Sequence, residues 1–501
     1  MRFEPDFEEF CRLAQDAVLV PVSTRIVADT LTPVGAFATV GRGDGSYLLE
    51  SVVGGEQIGR YSFVGFDPEC LVAGAQGRFE CLRGGRTTYT DTEQPWESLR
   101  HLLKTHHANK QPWLPHFWGG AVGYVAYDAV RAFEPSVGQG SHGTTDEYDF
   151  LFAIGGTVII FDNLMQTLRV VRAVRIRDGA DLRTLYEDAV AHLTRVHGQL
   201  REPVRLPELS LEIVEHMGAE LPPSSFDKQS YQAAVEKARE YIRSGDIYQV
   251  VLSQCFRQPS DGIDPFDVYR AMRVINPSPY NYFLRFPQTR IAGASPETMV
   301  KLTDGVVEVR PIAGTRHRSE DGAEDQRIED ELLADPKERS EHVMLVDLGR
   351  NDVGRISRTG TVKVTDRMIV ERYSHVMHIV SNVTGELVEN CDAVDVLRAT
   401  FPAGTLSGAP KIRAMQIIDE LEPERRGVYG GAVGYISFEG AMDLAIAIRT
   451  VIEAKGEYRI QAGAGIVEAS DSAKEYEETL NKARASLLAL RMASHPRNAA
   501  F

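Results

Sequence analysis

AVGYISFEGAMDLAIAIRTVIEAKGEYRIQA, residues 432–462, carries three β-branched, apolar runs separated by the short connections Glu439-Gly440 and Lys455-Gly456. The runs at 432–438, 444–452 and 458–462 read as strands, and connections this tight join antiparallel neighbours into a meander. Downstream, residues 472–492 keep a helical spacing of apolar positions. Upstream, helices are predicted over 409–421 and 335–350, each opened by a proline (Pro410, Pro336) whose missing N–H has no partner to lose there. Residues 228–243 form another helix, with Tyr231, Val235, Ala238 and Ile242 on one stripe and Gly245 as its stop. The stretch 247–256 (IYQVVLSQCF) reads as a strand with Gln249, Val251 and Ser253 on one face, and the β-branched 368–384 as extended. In the first half, runs such as 156–160 and 168–174 alternate with Gly-rich turns. This pattern predicts an α+β fold, a large two-layer body with antiparallel sheets and helices packed around them, and not a doubly wound parallel sheet.

The chain has 501 residues, more than one ordinary core accommodates, so two or more domains or one large layered body are expected. A composition of 43% hydrophobic and 25% charged residues excludes wholesale disorder. With 71 acidic against 55 basic side chains the net charge is −16, which argues against nucleic acid or an anionic membrane as partner. The five cysteines (Cys11, Cys70, Cys81, Cys255, Cys391) are odd in number and form no CxxC, which fits a reducing cytoplasm. The opening MRFEPDFEEF is acidic and broken by proline, unlike a signal peptide, and no apolar run approaches about 18 residues. A soluble, cytoplasmic protein is expected. Pro203, Pro207, Pro222 and Pro223 lie among scattered apolar residues and mark a linker at 201–226. It separates a β-rich region at 1–200 from a more regular domain at 227–495.

Two helices carry the same device. Glu338, Glu341, Leu345 and Leu348 share one stripe, and Glu475, Glu478, Lys482 and Ala485 another. Carboxylates that continue an apolar stripe face inward and call for a cation, and four of them suit a hard divalent ion such as Mg2+. Glu338 and Glu475 also fit capping boxes that begin at Asp335 and Ser472, so they either cap their helices or reach the ion. Glu341 and Glu478, a turn further on, are the better ligands. The loop GTLSGAPK (404–411) opens into a helix and can bind an anion or be a plain turn. It lacks the ending of a Walker A loop. Arg449, on the face of Ala445 and Ala447, has room to grip a carboxylate, the alternative being a salt bridge to another strand. His375 and His378 point to opposite faces of an extended segment, so one at most enters a site. No Gly-x-Cys-x-Gly elbow and no GxSxG is present, so the chain offers no glutaminase nucleophile.

From about 227 to 484 the chain resembles the chorismate-utilising enzymes. The resemblance rests on GDIYQVVLSQ, NPSPY, GASPE, RPIAGTR, SEHVMLVDLGRND, YSHVMHIVS, GTLSGAPK, YGGAVGY, IRT, QAGAGIV and EETLNKAR, in that order. The first half matches chiefly at LLES (48–51). The resemblance is greatest to the anthranilate-forming branch. It implies an enzyme, a lyase that uses Mg2+ and ammonia to turn chorismate into anthranilate and pyruvate, the first step of tryptophan biosynthesis. Carried over by motif, Glu341 and Glu478 would hold Mg2+, with Glu338 and Glu475 nearby or bridged by water. Gly314, Thr315, Tyr429, Arg449, Gly463, Ala464 and Gly465 would hold chorismate, with Thr405 near the ring. Glu297 would be the general acid for the leaving hydroxyl, and His378 would serve pyruvate elimination.

Two positions separate the branches. Water-using relatives carry a lysine where this chain has Gln249, and the aminodeoxychorismate-forming branch a lysine where it has Ala313. Ammonia needs no base to become a nucleophile, and Ala313 cannot form a covalent adduct, so both positions favour the anthranilate branch. The resemblance further implies inhibition by L-tryptophan at Ser51, Pro279, Tyr280, Asn281, Val433 and Tyr435, with region 1–200 regulatory and 227–495 catalytic. It also implies a separate glutamine amidotransferase subunit and a heterotetramer of two large and two small subunits. The rivals are an aminodeoxychorismate-forming enzyme and a sensor of chorismate or tryptophan without turnover, and the sensor would have no need of Glu297, Glu341 and Glu478.

Overall fold

The computed structural model of the chain describes residues 1–51, 59–75, 77–92, 94–138, 148–210, 221–319, 321–372 and 376–494. Two antiparallel sheets of twelve strands each organise them. The first runs Phe3–Glu4, Leu19–Val27, Thr167–Arg175, Thr157–Asp162, Tyr61–Phe66, Ser46–Glu50, then Tyr280–Arg285, Thr289–Ser295, Thr450–Ala454, Glu457–Ile466, Gln249–Pro259 and Gly408–Ala409. The second runs Ile312–His317, Val376–Glu386, Val306–Val309, Thr298–Thr303, Met442–Ile446, Ala432–Ser437, then Gly120–Val125, Phe150–Ile154, Cys70–Ala75, Arg78–Arg83 and Arg86–Asp91, with Lys363–Arg372 paired to Val376–Glu386. The expected α+β layering is therefore present.

Period-2 alternation builds the layers. Val158 and Ile160 point into the core between the sheets, with Val122, Phe152, Tyr282 and Leu284. Their neighbours Ile159 and Phe161 point outward into a second core roofed by helices Leu182–Gln199, Pro265–Ile275 and Ser472–Ser494. Helices Lys228–Arg243 and Lys411–Leu421 cover the strands Gln249–Pro259 and Glu457–Ile466 through a third, smaller core. Helix Pro336–Gly354 lies on strands Ile312–His317 and Val376–Glu386.

Each sheet contains strands from both halves of the chain. The halves join where Ser46–Glu50 pairs with Tyr280–Arg285, and again where Gly120–Val125 pairs with Ala432–Ser437. Strands from before and after 201–226 therefore share both sheets and a common core.

Two predicted strands divide. The run at 444–452 ends as Met442–Ile446 in the second sheet and resumes as Thr450–Ala454 in the first, so Ala447, Ile448 and Arg449 form a crossing between layers. Its alternating apolar pattern is continuous, but the chain changes partner strand there, which no local periodicity records. The meander is thus split across two sheets. The segment at 368–384 is likewise two strands, Lys363–Arg372 and Val376–Glu386, paired antiparallel. The helix expected over 409–421 begins at Lys411, with Pro410 as its N-cap and Gly408–Ala409 paired to Gln249 and Val250. Gly408 has φ +139°, and a Cβ there would lie 2.1 Å from the Gln249 carbonyl oxygen, so only glycine fits this approach.

Candidate active site

Two crossings between the sheets lie side by side and deliver the charged groups. One leads from Thr289–Ser295 to Thr298–Thr303 and carries Glu297. The other is the Ala447–Arg449 crossing. They are tied by hydrogen bonds from Ala294 N to Arg449 O (3.1 Å) and from Ile446 N to Glu297 O (3.0 Å). Arg449 takes a left-handed conformation (φ +48°), so it is not on the strand face of Ala445 and Ala447 as the sequence suggests. The residue is exposed overall, and its guanidinium, whose pKa burial lowers, donates to Asn276 Oδ1 at 2.9 Å. It forms no salt bridge to another strand among the described residues, and it stands close enough to Glu297 for their charges to interact.

Burial raises the Glu297 carboxyl above its ordinary range. A hydrogen bond from Thr405 Oγ1 to Oε2 (3.1 Å) and the positive charges of Lys482 and Arg449 act against that rise. Thr405 belongs to the short 3-10 turn Gly404–Leu406 of the glycine-rich loop. The loop's Lys411 is buried against Asp352 Oδ2 (2.7 Å) and the Thr400 carbonyl (3.0 Å), so this lysine serves the fold.

His378 lies opposite Thr315 in the ladder, and its Nδ1 is 3.0 Å from Gly314 O and 3.1 Å from Thr315 Oγ1. A carbonyl can only accept, so Nδ1 carries the proton and Nε2 is the basic nitrogen. Burial lowers the imidazole pKa. Gly314 sits at φ +66°, and a Cβ there would be 3.2 Å from Glu338 Oε2, which brings the histidine strand up to the acidic helix. His375 lies outside the described residues.

The four carboxylates divide by partner. Glu338 Oε1 accepts from Arg316 Nη1 at 3.0 Å, and Glu478 pairs with Lys482 at 2.7 Å. Glu341 and Glu475 form no ion pair among the described residues. Burial raises both carboxyls, with Glu338 and Glu478 adding to the rise at Glu341 and Glu478 to that at Glu475. The four are therefore electrostatic neighbours, although among the described residues no three acidic, histidine or cysteine side chains are close enough to form a metal cluster.

The second capping box is corrected. Asp471, not Ser472, caps the last helix by accepting from Ala473 N (3.1 Å) and Lys474 N (3.0 Å), which leaves Glu475 beyond the box. Asp335 caps its helix as expected, yet the Glu338 side chain goes to Arg316 and does not return to the cap. The second stripe is corrected too. Glu478 and Lys482 are exposed and Glu475 is half-buried, while Thr479, Leu480, Ala483, Ser486 and Leu487 form the buried face. The carboxylates flank the apolar stripe and do not extend it.

Gly463, Ala464 and Gly465 pair with Ser253, Leu252 and Val251. The Tyr429 hydroxyl lies against Gly463, at 2.9 Å from where a Cβ would be, and the Gln249 amide nitrogen against Gly465 at 2.7 Å. Gln249 Oε1 is buried without a hydrogen bond among the described residues. Lys482 Nζ donates to Gly463 O at 3.0 Å, linking this wall to Glu478. Lys482 and Asn276 went unassigned in the sequence. The i,i+4 spacing of Glu478 and Lys482 is a signal for the first, and nothing local marks the second.

The six residues proposed for tryptophan gather where the halves of the chain join. Ser51 follows Glu50, whose register partner is Asn281, and Tyr280 reaches Thr298 Oγ1 (2.8 Å) and Asp443 Oδ1 (3.0 Å). Asp443 is paired with Tyr435, whose ring stacks on Phe117 at 4.2 Å, and Val433 and Pro279 are buried. Ser51 Oγ and Asn281 Oδ1 are buried without a hydrogen-bond partner among the described residues. A cavity of about 600 Å³ between the sheets shares Tyr429 with the active site but none of Glu297, Thr405, His378 or Glu341. A pocket of about 60 Å³ touches Glu297 and Thr405.

Residues 46–488 match the family of chorismate binding enzymes. The anthranilate synthase component 1 of Aquifex aeolicus is 44% identical over 98% of this chain and 99% of its own length. That of Pseudomonas aeruginosa is 45% identical over 97% and 98%. The crystal structure of anthranilate synthase component I from Streptococcus pneumoniae superposes with a TM-score of 0.71 at 38% identity, over 93% of this chain and 99% of that one. The menaquinone-specific isochorismate synthase of Escherichia coli, 19% identical, shares the fold with a TM-score of 0.69 over 97% and 98%. The matched span runs from the strand before Ser51 to beyond Lys482 and takes in every residue of both sites, so this chain belongs to the chorismate binding enzymes.

Proposed function

We propose that this chain is the large, chorismate-binding component of an anthranilate synthase, joining ammonia to chorismate and releasing pyruvate and water to leave anthranilate. The observation that carries this reading is Gln249, a neutral amide against Gly465 at the position where water-using relatives place a lysine. Ala313 and the near full-length likeness to chains of that name support it.

Arg449 and the glycine wall bind and orient the substrate, with Tyr429 closing one side. Glu297, whose protonated form burial favours, gives its proton to the C4 hydroxyl as ammonia attacks C2, and that oxygen departs as water. His378 then takes the C2 proton at Nε2 while the C3–O bond breaks. Pyruvate leaves and the ring becomes aromatic. Glu341 and Glu475 are raised carboxyls that form no ion pair among the described residues, and a divalent cation bound beside them would draw Glu478 from Lys482 and Glu338 from Arg316. Mg2+ held there, chiefly by Glu341 and Glu478, would supply a template and charge for a substrate carboxylate.

The chain contains no glutaminase elbow, so a separate glutamine amidotransferase subunit supplies the ammonia, in an assembly of two large and two small subunits. Tryptophan binds at Ser51 and Asn281, whose unsatisfied polar atoms suit an amino acid's charged ends, with Tyr435 and Val433 against its ring. No helix among the described residues is long and apolar enough to cross a membrane, which accords with a cytoplasmic location.

Purified chain incubated with chorismate, Mg2+ and ammonium is expected to give fluorescent anthranilate and equimolar pyruvate, and glutamine alone to give neither. An aminated product formed without pyruvate would replace this reading with the aminodeoxychorismate one.

A further inference from the structure

Behind the substrate wall lies a buried ion pair that the reaction does not use directly. Glu422 and Arg426, four residues apart in the connection after helix Lys411–Leu421, have side chains only 2% and 1% exposed. Arg426 donates to Glu422 from Nε (2.9 Å to Oε2) and Nη2 (2.6 Å to Oε1). Its remaining bonds run from Nη1 to the Leu406 carbonyl (2.6 Å) and from Nη2 to the Val251 carbonyl (2.7 Å). The guanidinium also lies 5.8 Å from the centre of the Tyr429 ring. Glu422 Oε1 accepts from Ser253 N and Oγ, both at 2.8 Å.

Each of these contacts is next to a residue of the site. Leu406 follows Thr405, which holds Glu297. Val251 and Ser253 pair with Gly465 and Gly463 on the strand that begins at Gln249. A buried ion pair is a poor stabiliser compared with apolar side chains of the same size, so burial alone gives no reason for charges here. A planar fork fixing two carbonyls and a carboxylate at once is what arginine supplies and leucine does not.

We propose that Arg426, oriented by Glu422, is a positioning residue: its guanidinium fixes the Thr405 turn, the Gln249 strand and Tyr429 in one mutual geometry, and through Thr405 it sets the acid Glu297. This rests on the reading of Glu297, Thr405 and Tyr429 as substrate-handling groups.

The test is the paired variant Glu422→Leu/Arg426→Met, which removes both charges together and so avoids stranding one. It is expected to unfold cooperatively as wild type does. Its kcat for ammonia-dependent anthranilate formation should fall roughly tenfold or more, as displacement of reacting groups does, with the chorismate KM changed less than about threefold. The high-pH limb of its kcat profile should move to higher pH, because Glu297 loses the Thr405 bond while Lys482, Arg449 and Tyr429 remain around it. Arg426→Lys keeps the charge but cannot span both carbonyls. It should shift the limb the same way, and it carries the test if the pair fails to fold. An unshifted limb in the folded variant, whatever its stability, overturns the proposal and leaves a plain core ion pair. Wild type is assayed first, and a wild type that forms no anthranilate fails the functional reading instead.

Discussion

Thr405 Oγ1 donates to Glu297 Oε2 across 3.1 Å, from a loop turn on one side of the cleft to a sheet crossing on the other. The bond favours the ionised acid, while burial, the larger influence, favours the protonated one. A general acid works only while protonated, so kcat should fall as pH rises through a value above the usual carboxylate range. Thr405→Val should move that limb to still higher pH. Glu297→Gln, which has no proton to give, should lower kcat by about a hundredfold or more. A pH–rate profile for each protein decides it, and an unchanged limb in Thr405→Val would detach the threonine from the acid.

Metal dependence should follow partner status. Glu341 has no ion pair among the described residues, whereas Glu338 is held by Arg316. Glu341→Gln is therefore expected to lose turnover by about a hundredfold and to demand more Mg2+, with Glu338→Gln less affected; Glu478→Gln, the second proposed ligand, should match Glu341→Gln only if the ion displaces Lys482 from it. Chelation should abolish wild-type activity and added Mg2+ restore it. Activity indifferent to EDTA would sink the assignment.

Stability should weaken in mild acid through His342. This side chain is fully buried, its Nε2 is 2.6 Å from Ser381 Oγ, and burial lowers its pKa to about 4. Between about pH 6.5 and 4 the unfolded chain binds a proton there that the folded chain does not, so stability falls as pH falls, by about 3 kcal/mol at most for this group. His192, also lowered to about 4, acts with the same sign. Urea midpoints at pH 7.5 and pH 5 should differ less for His342→Asn than for wild type, and equal differences would remove His342 from the account.

Tryptophan inhibition should be separable from catalysis at Ser51. Its hydroxyl is buried, with no hydrogen-bond partner among the described residues, beside the Glu50–Asn281 pairing. Ser51→Phe should keep ammonia-dependent turnover and need roughly tenfold more tryptophan for half inhibition, a loss of about 1.4 kcal/mol. Equal inhibition of both proteins would place the effector elsewhere.

What the sequence disclosed follows from how local each signal is. The helix Lys228–Arg243 ends where expected because its cap, Asp227, and its stop, Gly245, are adjacent residues. Arg449 was mislaid because alternation through Ala445 and Ala447 runs on unbroken, while the change of sheet depends on the distant strand Thr289–Ser295. Glu297, Thr405 and Gln249 were legible by motif, and their mutual placement was not. Asp471 and Ser472 are both competent caps, so composition could not choose between them. The spacing of the four carboxylates suggested convergence, but that Arg316 and Lys482 occupy two of them depends on a strand and a helix face no heptad describes.

The shared sheets also bear on how the chain comes to be folded. When the first half leaves the ribosome, strands Ser46–Glu50 and Gly120–Val125 have no neighbours on one side, since Tyr280–Arg285 and Ala432–Ser437 are not yet made. Two apolar edges thus wait for most of translation, and closing them is a late, long-range step. Nascent chains of this architecture are natural clients for chaperones, and fragments cut at 201–226 should acquire structure only when mixed.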